Sequence, residues 1–221
     1  MSNPAAVATP VQDAGDGRWM SMHNRFVREA KSMSSKCELV FIGDSIIHGM
    51  LDKEIWRQYF QPLGSLNFGI GGDSTQHVLW RIQNGEFEHI TPKVVVLLVG
   101  TNNVAHTPSH TAANVVEGIE SIVWYINGMN SSIKVLVLAL LPRGEYPNPL
   151  RTKIMDVNSL LETSINVIPN ATFINADPGF VDEEGKISAK DMLDYLHLTG
   201  AAYEKFCTKI YEALIRVMKY A

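Results

Sequence analysis

Apolar residues are bunched along this 221-residue chain in two distinct rhythms. Short aliphatic runs occupy positions 39–42, 66–68, 94–99, 135–141 and 171–175. Runs of this kind, apolar without alternation, mark strands buried on both faces. Between them, apolar residues recur every three or four positions, which places them on one stripe of a helix. One stripe comprises Trp19, Met22, Phe26 and Val27, on a helix expected from Arg18 to about Ala30. Others follow over 115–126, 154–168 and 203–217. Strand and helix patterns thus alternate, which predicts an α/β three-layer sandwich around a five-stranded parallel sheet. Residues 1–17, MSNPAAVATPVQDAGDG, carry neither rhythm and are expected to form a flexible arm ahead of one domain over 18–221.

Composition narrows the function classes. A net charge of −4, a pI near 6.0 and the lack of any basic cluster argue against nucleic acid as the main partner. No apolar run approaches the length of a transmembrane segment, and the N-terminus does not read as a secretory signal. Two cysteines, Cys37 and Cys207, cannot make a disulfide scaffold, so a cytoplasmic protein is expected.

In an open parallel sheet, ligands bind beyond the carboxyl ends of the strands. Three glycine-bearing loops fall there. They are Gly43-Asp44-Ser45 after the first strand, Gly69-Ile70-Gly71-Gly72-Asp73-Ser74 after the second, and Gly100-Thr101-Asn102-Asn103 after the third. A fourth element, Asp194-Tyr195-Leu196-His197, precedes the last helix. A serine hydroxyl needs a base, most often histidine, and that base needs a carboxylate to hold its tautomer. Ser45, His197 and Asp194 can fill these roles, with Asp194 and His197 expected on one side of a helical turn. The backbone N–H groups of Ser45 and Gly72 and the Asn102 amide can supply an oxyanion hole. Singly, each has a plainer reading: Gly-Asp-Ser as a turn with a helix cap, Asn102 as a turn residue, His197 as a core hydrogen-bonding group. They gain force together, because all fall on the ligand-binding edge.

Two other signatures fail. Position 47 is Ile, so Gly-x-Ser-x-Gly is incomplete, and Gly69-x-Gly71-x-x-Ser74 lacks the third glycine of a dinucleotide fingerprint. His106 and His110 stand four apart without a third candidate ligand nearby, so no metal is expected.

In order, Gly43-Asp44-Ser45, Gly72, Gly100-Thr101-Asn102 and Asp194-x-x-His197 resemble the four blocks of the SGNH hydrolases. Longer stretches resemble the catalytic α subunits of intracellular platelet-activating factor acetylhydrolase type Ib. These are NFGIGGD at 67–73, HVLWR at 77–81, VGTNN at 99–103, LLPRG at 140–144 and DYLHL at 194–198. The resemblance implies a flavodoxin-like fold and a cofactor-free esterase acting on the sn-2 acetyl group of an ether phospholipid. It assigns Ser45 as nucleophile, His197 as base, Asp194 as its orienter and Gly72 and Asn102 to the oxyanion hole. Ile46 and Leu196, flanking the catalytic positions, are expected with Thr101 to shape the acyl pocket. The family also implies a homodimer, or a heterodimer with a paralogous α subunit, able to dock a WD-repeat β subunit. The competing expectation is a largely non-catalytic dimeric subunit that serves as a binding partner.

Overall fold

The computed structural model describes residues 3–219. The first two residues of the expected arm and the last two of the expected domain lie outside the described residues. Five parallel strands form the sheet: β1 (Leu39–Gly43), β2 (Ser65–Gly69), β3 (Val94–Leu98), β4 (Lys134–Leu138) and β5 (Ala171–Ile174). Their spatial order is β2-β1-β3-β4-β5, the flavodoxin-like order that the sequence led us to expect. β1 and β3 are buried along their whole length, whereas edge strand β5 is partly exposed. This is why the two central runs are the most uniformly apolar.

The connections are the helices α1 (Arg18–Ser32), α2 (Ser45–His48), α3 (Thr75–Arg81), α4 (Thr101–His106), α5 (Ala112–Met129), α6 (Pro149–Ile165) and α7 (Gly200–Met218). Right-handed crossovers that run one way from β1 to β2 and the other way through β3, β4 and β5 put helices on opposite faces. α3, α5 and α6 pack side by side, while Tyr211 of α7 stacks on Tyr59 in the β1–β2 connection. The order reverses between β1 and β3, so the loops after these strands flank the crevice.

Three expectations are corrected. The fourth strand ends at Leu138 rather than at 141, because Asn158 of α6 takes both the N–H (2.8 Å) and the carbonyl (2.9 Å) of Leu140. The buried stripe of α1 is Trp19, His23, Phe26 and Ala30; His23 enters it because its Nδ1 lies 3.0 Å from the buried Glu86. The arm, expected to be flexible, is docked over its early part. Asn3 caps a short turn at Pro4–Ala6 and donates to the Asn114 carbonyl, Ala5 is buried, and Thr75 Oγ1 donates to the Ala5 carbonyl at 2.7 Å. Thr9 N–H adds a bond to the Gln76 carbonyl at 3.1 Å. Polar backbone contacts of this kind leave no hydrophobic period in the sequence.

Candidate active site

β1 delivers Gly43-Asp44-Ser45 to the crevice, and the chain turns at once into α2. The cap of this helix is Asp44, not Ser45: its Oδ1 accepts the Ile46 N–H at 2.9 Å. Capping the second turn position leaves the Ser45 N–H as one of the orphan donors every helix start exposes. Among the described residues it has no hydrogen-bond acceptor. Tyr203 of α7 fixes the turn from below, donating its hydroxyl to the Ile46 carbonyl at 2.8 Å.

His197 comes from the segment before α7. The expected helical turn there is absent. Tyr195 instead adopts a left-handed conformation, φ 58°, and Asp194 Oδ1 accepts the N–H groups of Leu196 (3.1 Å) and His197 (2.7 Å). An Asx-type turn therefore replaces the helix, because the short carboxylate competes for the backbone donors a helix would need. α7 begins later, capped by Thr199. Asp194 Oδ2 lies 2.6 Å from His197 Nδ1, and His197 Nε2 lies 3.0 Å from Ser45 Oγ. The histidine and aspartate side chains are 48% and 55% exposed, so the line is open to an incoming ligand. Partial desolvation works to raise the Asp194 pKa, but the His197 N–H, the ring and charge of His197 and the Leu196 N–H together hold it below the usual carboxylate value.

Gly72 has φ +88°, a conformation side chains rarely adopt, and the space where a Cβ would sit is open. Its N–H, like that of Ser45, lacks an acceptor among the described residues. Asn102 lies in the first turn of α4 and donates one amide hydrogen to the Asp73 carbonyl at 2.8 Å, leaving its second uncommitted.

The residues expected at the acyl pocket do meet. Ile46, Thr101 and Leu196 line a cavity of about 10 Å³ with Leu98, Leu140 and Leu141. That is room for about one water or methyl group. Two contributors went unrecognised in the sequence. Asp44 also borders the cavity, fully buried, and its Oδ2 has no partner among the described residues. Burial pushes its pKa up to about 7; Asp73 adds to the rise, and the Ile46 N–H, His197 and Arg143 oppose it. Arg143 Nη1 holds Thr101 through its hydroxyl (3.1 Å) and carbonyl (3.3 Å). The run Leu140-Leu141-Pro142-Arg143-Gly144 at the end of β4 was the available signal for Arg143. Nothing in the spacing pointed to Asp44.

The family described as GDSL-like Lipase/Acylhydrolase matches residues 41–205. Over 217 residues the chain is 54% identical to platelet-activating factor acetylhydrolase IB subunit alpha1 of Rattus norvegicus, covering 98% of this chain and 91% of that one. It is 49% identical over 219 residues to the alpha2 subunit of Homo sapiens, covering 99% and 93%. A crystal structure of a GDSL-like lipase from Bacteroides thetaiotaomicron shares the fold, with a TM-score of 0.75 and 23% identity over 90% of this chain and 98% of that one.

Proposed function

The chain belongs to the GDSL-like lipase/acylhydrolase family, and on that premise we propose that it is a serine esterase removing the sn-2 acetyl group of ether phospholipids of the platelet-activating-factor type. The observation that carries this reading is the line from Ser45 Oγ to His197 Nε2 (3.0 Å) and from His197 Nδ1 to Asp194 Oδ2 (2.6 Å). The acetyl preference is supported by the cavity of about 10 Å³ lined by Asp44 and Ile46, the chain neighbours of Ser45. The lipid class is supported by relatives about half identical over nearly the whole chain and named as platelet-activating factor acetylhydrolase subunits.

The chemistry follows from the geometry. As Ser45 Oγ attacks the acetyl carbonyl, His197 Nε2 takes the hydroxyl proton, and Asp194 keeps the other ring nitrogen protonated and oriented. Negative charge collects on the carbonyl oxygen, for which this reading assigns the unpartnered Ser45 and Gly72 N–H groups and the second Asn102 amide hydrogen as donors. Collapse breaks the ester bond. The His197 proton goes to the departing glycerol oxygen, leaving a lyso-ether-phospholipid and an acetyl group on Ser45. Water then attacks that acetyl carbon while giving a proton to His197, and acetate departs as Ser45 recovers its hydrogen.

A fluorophosphonate probe and p-nitrophenyl acetate test the reading. Labelling at Ser45 and turnover are expected, both lost in Ser45→Ala and His197→Ala with the fold retained, since such residues act as a unit. Folded protein that takes up no probe and turns over no acetyl ester would falsify it. The relatives are named alpha1 and alpha2 subunits, so we also assign the chain to a dimer with itself or with a second alpha-type chain. Light scattering on purified protein, with and without that chain, checks this.

A further inference from the structure

Behind the glycine loop lies a polar cluster sealed from solvent. Asp73, Arg81 and Glu86 are fully buried, and Trp19 and His23 nearly so. Arg81 Nε donates to Asp73 Oδ2 at 2.8 Å, and Nη1 donates to both oxygens of Glu86 at 2.8 and 2.6 Å. Its Nη2 reaches the Phe68 carbonyl at 2.9 Å and the Gly43 carbonyl at 3.4 Å. Trp19 Nε1, from α1, donates to the other Asp73 oxygen at 2.7 Å. His23 Nδ1 stands 3.0 Å from Glu86 Oε1.

The Arg81 contacts with Gly43, Phe68 and Asp73 land on the segments that carry the proposed site. Gly43 ends β1 and precedes Asp44-Ser45; Phe68 belongs to β2, which enters the glycine loop. Asp73 follows Gly72 directly, and its own carbonyl receives the Asn102 amide at 2.8 Å. One planar guanidinium therefore touches the nucleophile strand, the loop strand and, through Asp73, both the Gly72 peptide and Asn102.

Fold stability alone does not account for such a cluster. Taking a charge out of water costs several kcal/mol per ion, and apolar side chains of equal volume often hold a fold as well or better. What apolar packing lacks is direction. A fork of fixed donors sets orientation as well as distance. We propose that Arg81 and Asp73, braced by Trp19, Glu86 and His23, are positioning residues that hold the Gly72 N–H and the Asn102 amide in register with Ser45 Oγ. The proposal deepens the esterase reading and rests on it.

The test measures kcat and KM on p-nitrophenyl acetate for Trp19→Phe, Asp73→Asn and Arg81→Lys. Active sites are counted by end-point fluorophosphonate labelling, so that unfolded protein does not enter kcat. Trp19→Phe removes one hydrogen bond and keeps an aromatic ring in place, which makes it the variant that decides if the buried-charge variants do not fold. A displaced group of about 1 Å costs on the order of 10²-fold. We expect kcat per labelled site to fall about 10-fold in Trp19→Phe and up to about 100-fold in Arg81→Lys and Asp73→Asn. KM is expected to stay within about twofold, because the loss belongs to the transition state. In an Asn102→Ala background the Trp19→Phe penalty should shrink, since both act on one donor set. Wild-type kcat per labelled site in Trp19→Phe, or a penalty undiminished in the Asn102→Ala background, overturns the proposal and assigns the cluster to the fold. A wild-type protein that neither labels nor turns over ester sinks the esterase reading instead.

Discussion

Asp44 and Ser45 are neighbours with opposite relations to water. The hydroxyl faces the crevice, while the carboxylate beside it is fully buried with one oxygen unpartnered among the described residues. Its pKa, raised to about 7 chiefly by burial, has a consequence for stability. An acid whose folded pKa lies above its unfolded value of about 4 binds its proton more tightly when folded. The group therefore imposes no penalty below about pH 4, and its cost grows as pH rises from about 4 to 7. Asp44→Asn keeps the acceptor for the Ile46 N–H but cannot ionise. Whatever constant offset the amide brings, the variant should gain on the wild type by up to a few kcal/mol between pH 4 and 8, read from urea midpoints. A pH-independent difference would mean that Asp44 is already ionised at pH 4. The prediction for Asn102 is separate. Asn102→Ala should lower kcat by about 10²–10³ with KM little changed, as expected for the loss of one oxyanion donor. Full activity would place the oxyanion elsewhere. Legibility at this scale was uneven: Ser45, Asp194 and His197 stood out because a hydroxyl at a strand end and a carboxylate–imidazole pair ahead of the last helix suggest one chemistry. Asp44 did not stand out, because burial is invisible in a polar letter.

Elements were read well where a period ran on and poorly where side chains set the backbone. All five strands and the four long helical stripes came out in order, because burial on one or both faces enforces periodicity. The Asp194–His197 segment defeated the same logic. Its shape depends on a carboxylate accepting two N–H groups around a left-handed Tyr195, and i,i+3 spacing fits that turn as well as it fits a helix. The two geometries differ in what they tolerate at position 195. Tyr195→Gly should keep turnover, since glycine takes φ near +60° without strain. Tyr195→Pro, locked near −65°, should displace His197 from Ser45 and lower kcat by on the order of 10² or more while the core stays folded. In a helical turn opening at Asp194, residue 195 would be the first helical position, which tolerates proline, so activity retained in Tyr195→Pro would count against the left-handed turn. The docked arm offers a second contrast. Gly118 lies within α5, where alanine ordinarily gains about 1 kcal/mol over glycine. Here a Cβ would sit 2.6 Å from both the Ala5 carbonyl oxygen and Thr75 Oγ1. Gly118→Ala should therefore release the arm, seen as faster proteolytic cleavage before residue 18, despite the better helix former. Unchanged cleavage would show that the arm accommodates the methyl.

At the scale of the whole molecule, the sheet brings together groups 152 positions apart in sequence, Ser45 and His197, at the one place where strand order reverses. This much was legible, because parallel topology sends every strand end to the same edge. The depth of the acyl pocket was not. It depends on how Leu98, Leu140 and Leu141, from two separate strand ends, close in behind Ile46, Thr101 and Leu196, and no periodicity encodes that distance. The resulting space of about 10 Å³ has a functional consequence. On the proposed reading it takes the methyl of the acetyl group, and its size leaves room for little more. Each further methylene must displace packed side chains or stay in water, and a misfit of that size is worth about 1–3 kcal/mol. On p-nitrophenyl esters, kcat/KM should thus fall roughly tenfold or more from acetyl to propionyl and again to butyryl. Leu196 is the wall that can be moved. It is half-buried and sits on the Asp194–His197 turn, outside the packed strands, so trimming it costs the core little. Leu196→Ala should raise the butyryl-to-acetyl ratio of kcat/KM by about tenfold or more, mainly by restoring the butyryl ester. A ratio that does not move, in protein that still labels at Ser45, would mean that the acyl chain leaves the site by another route and that this cavity does not set its length.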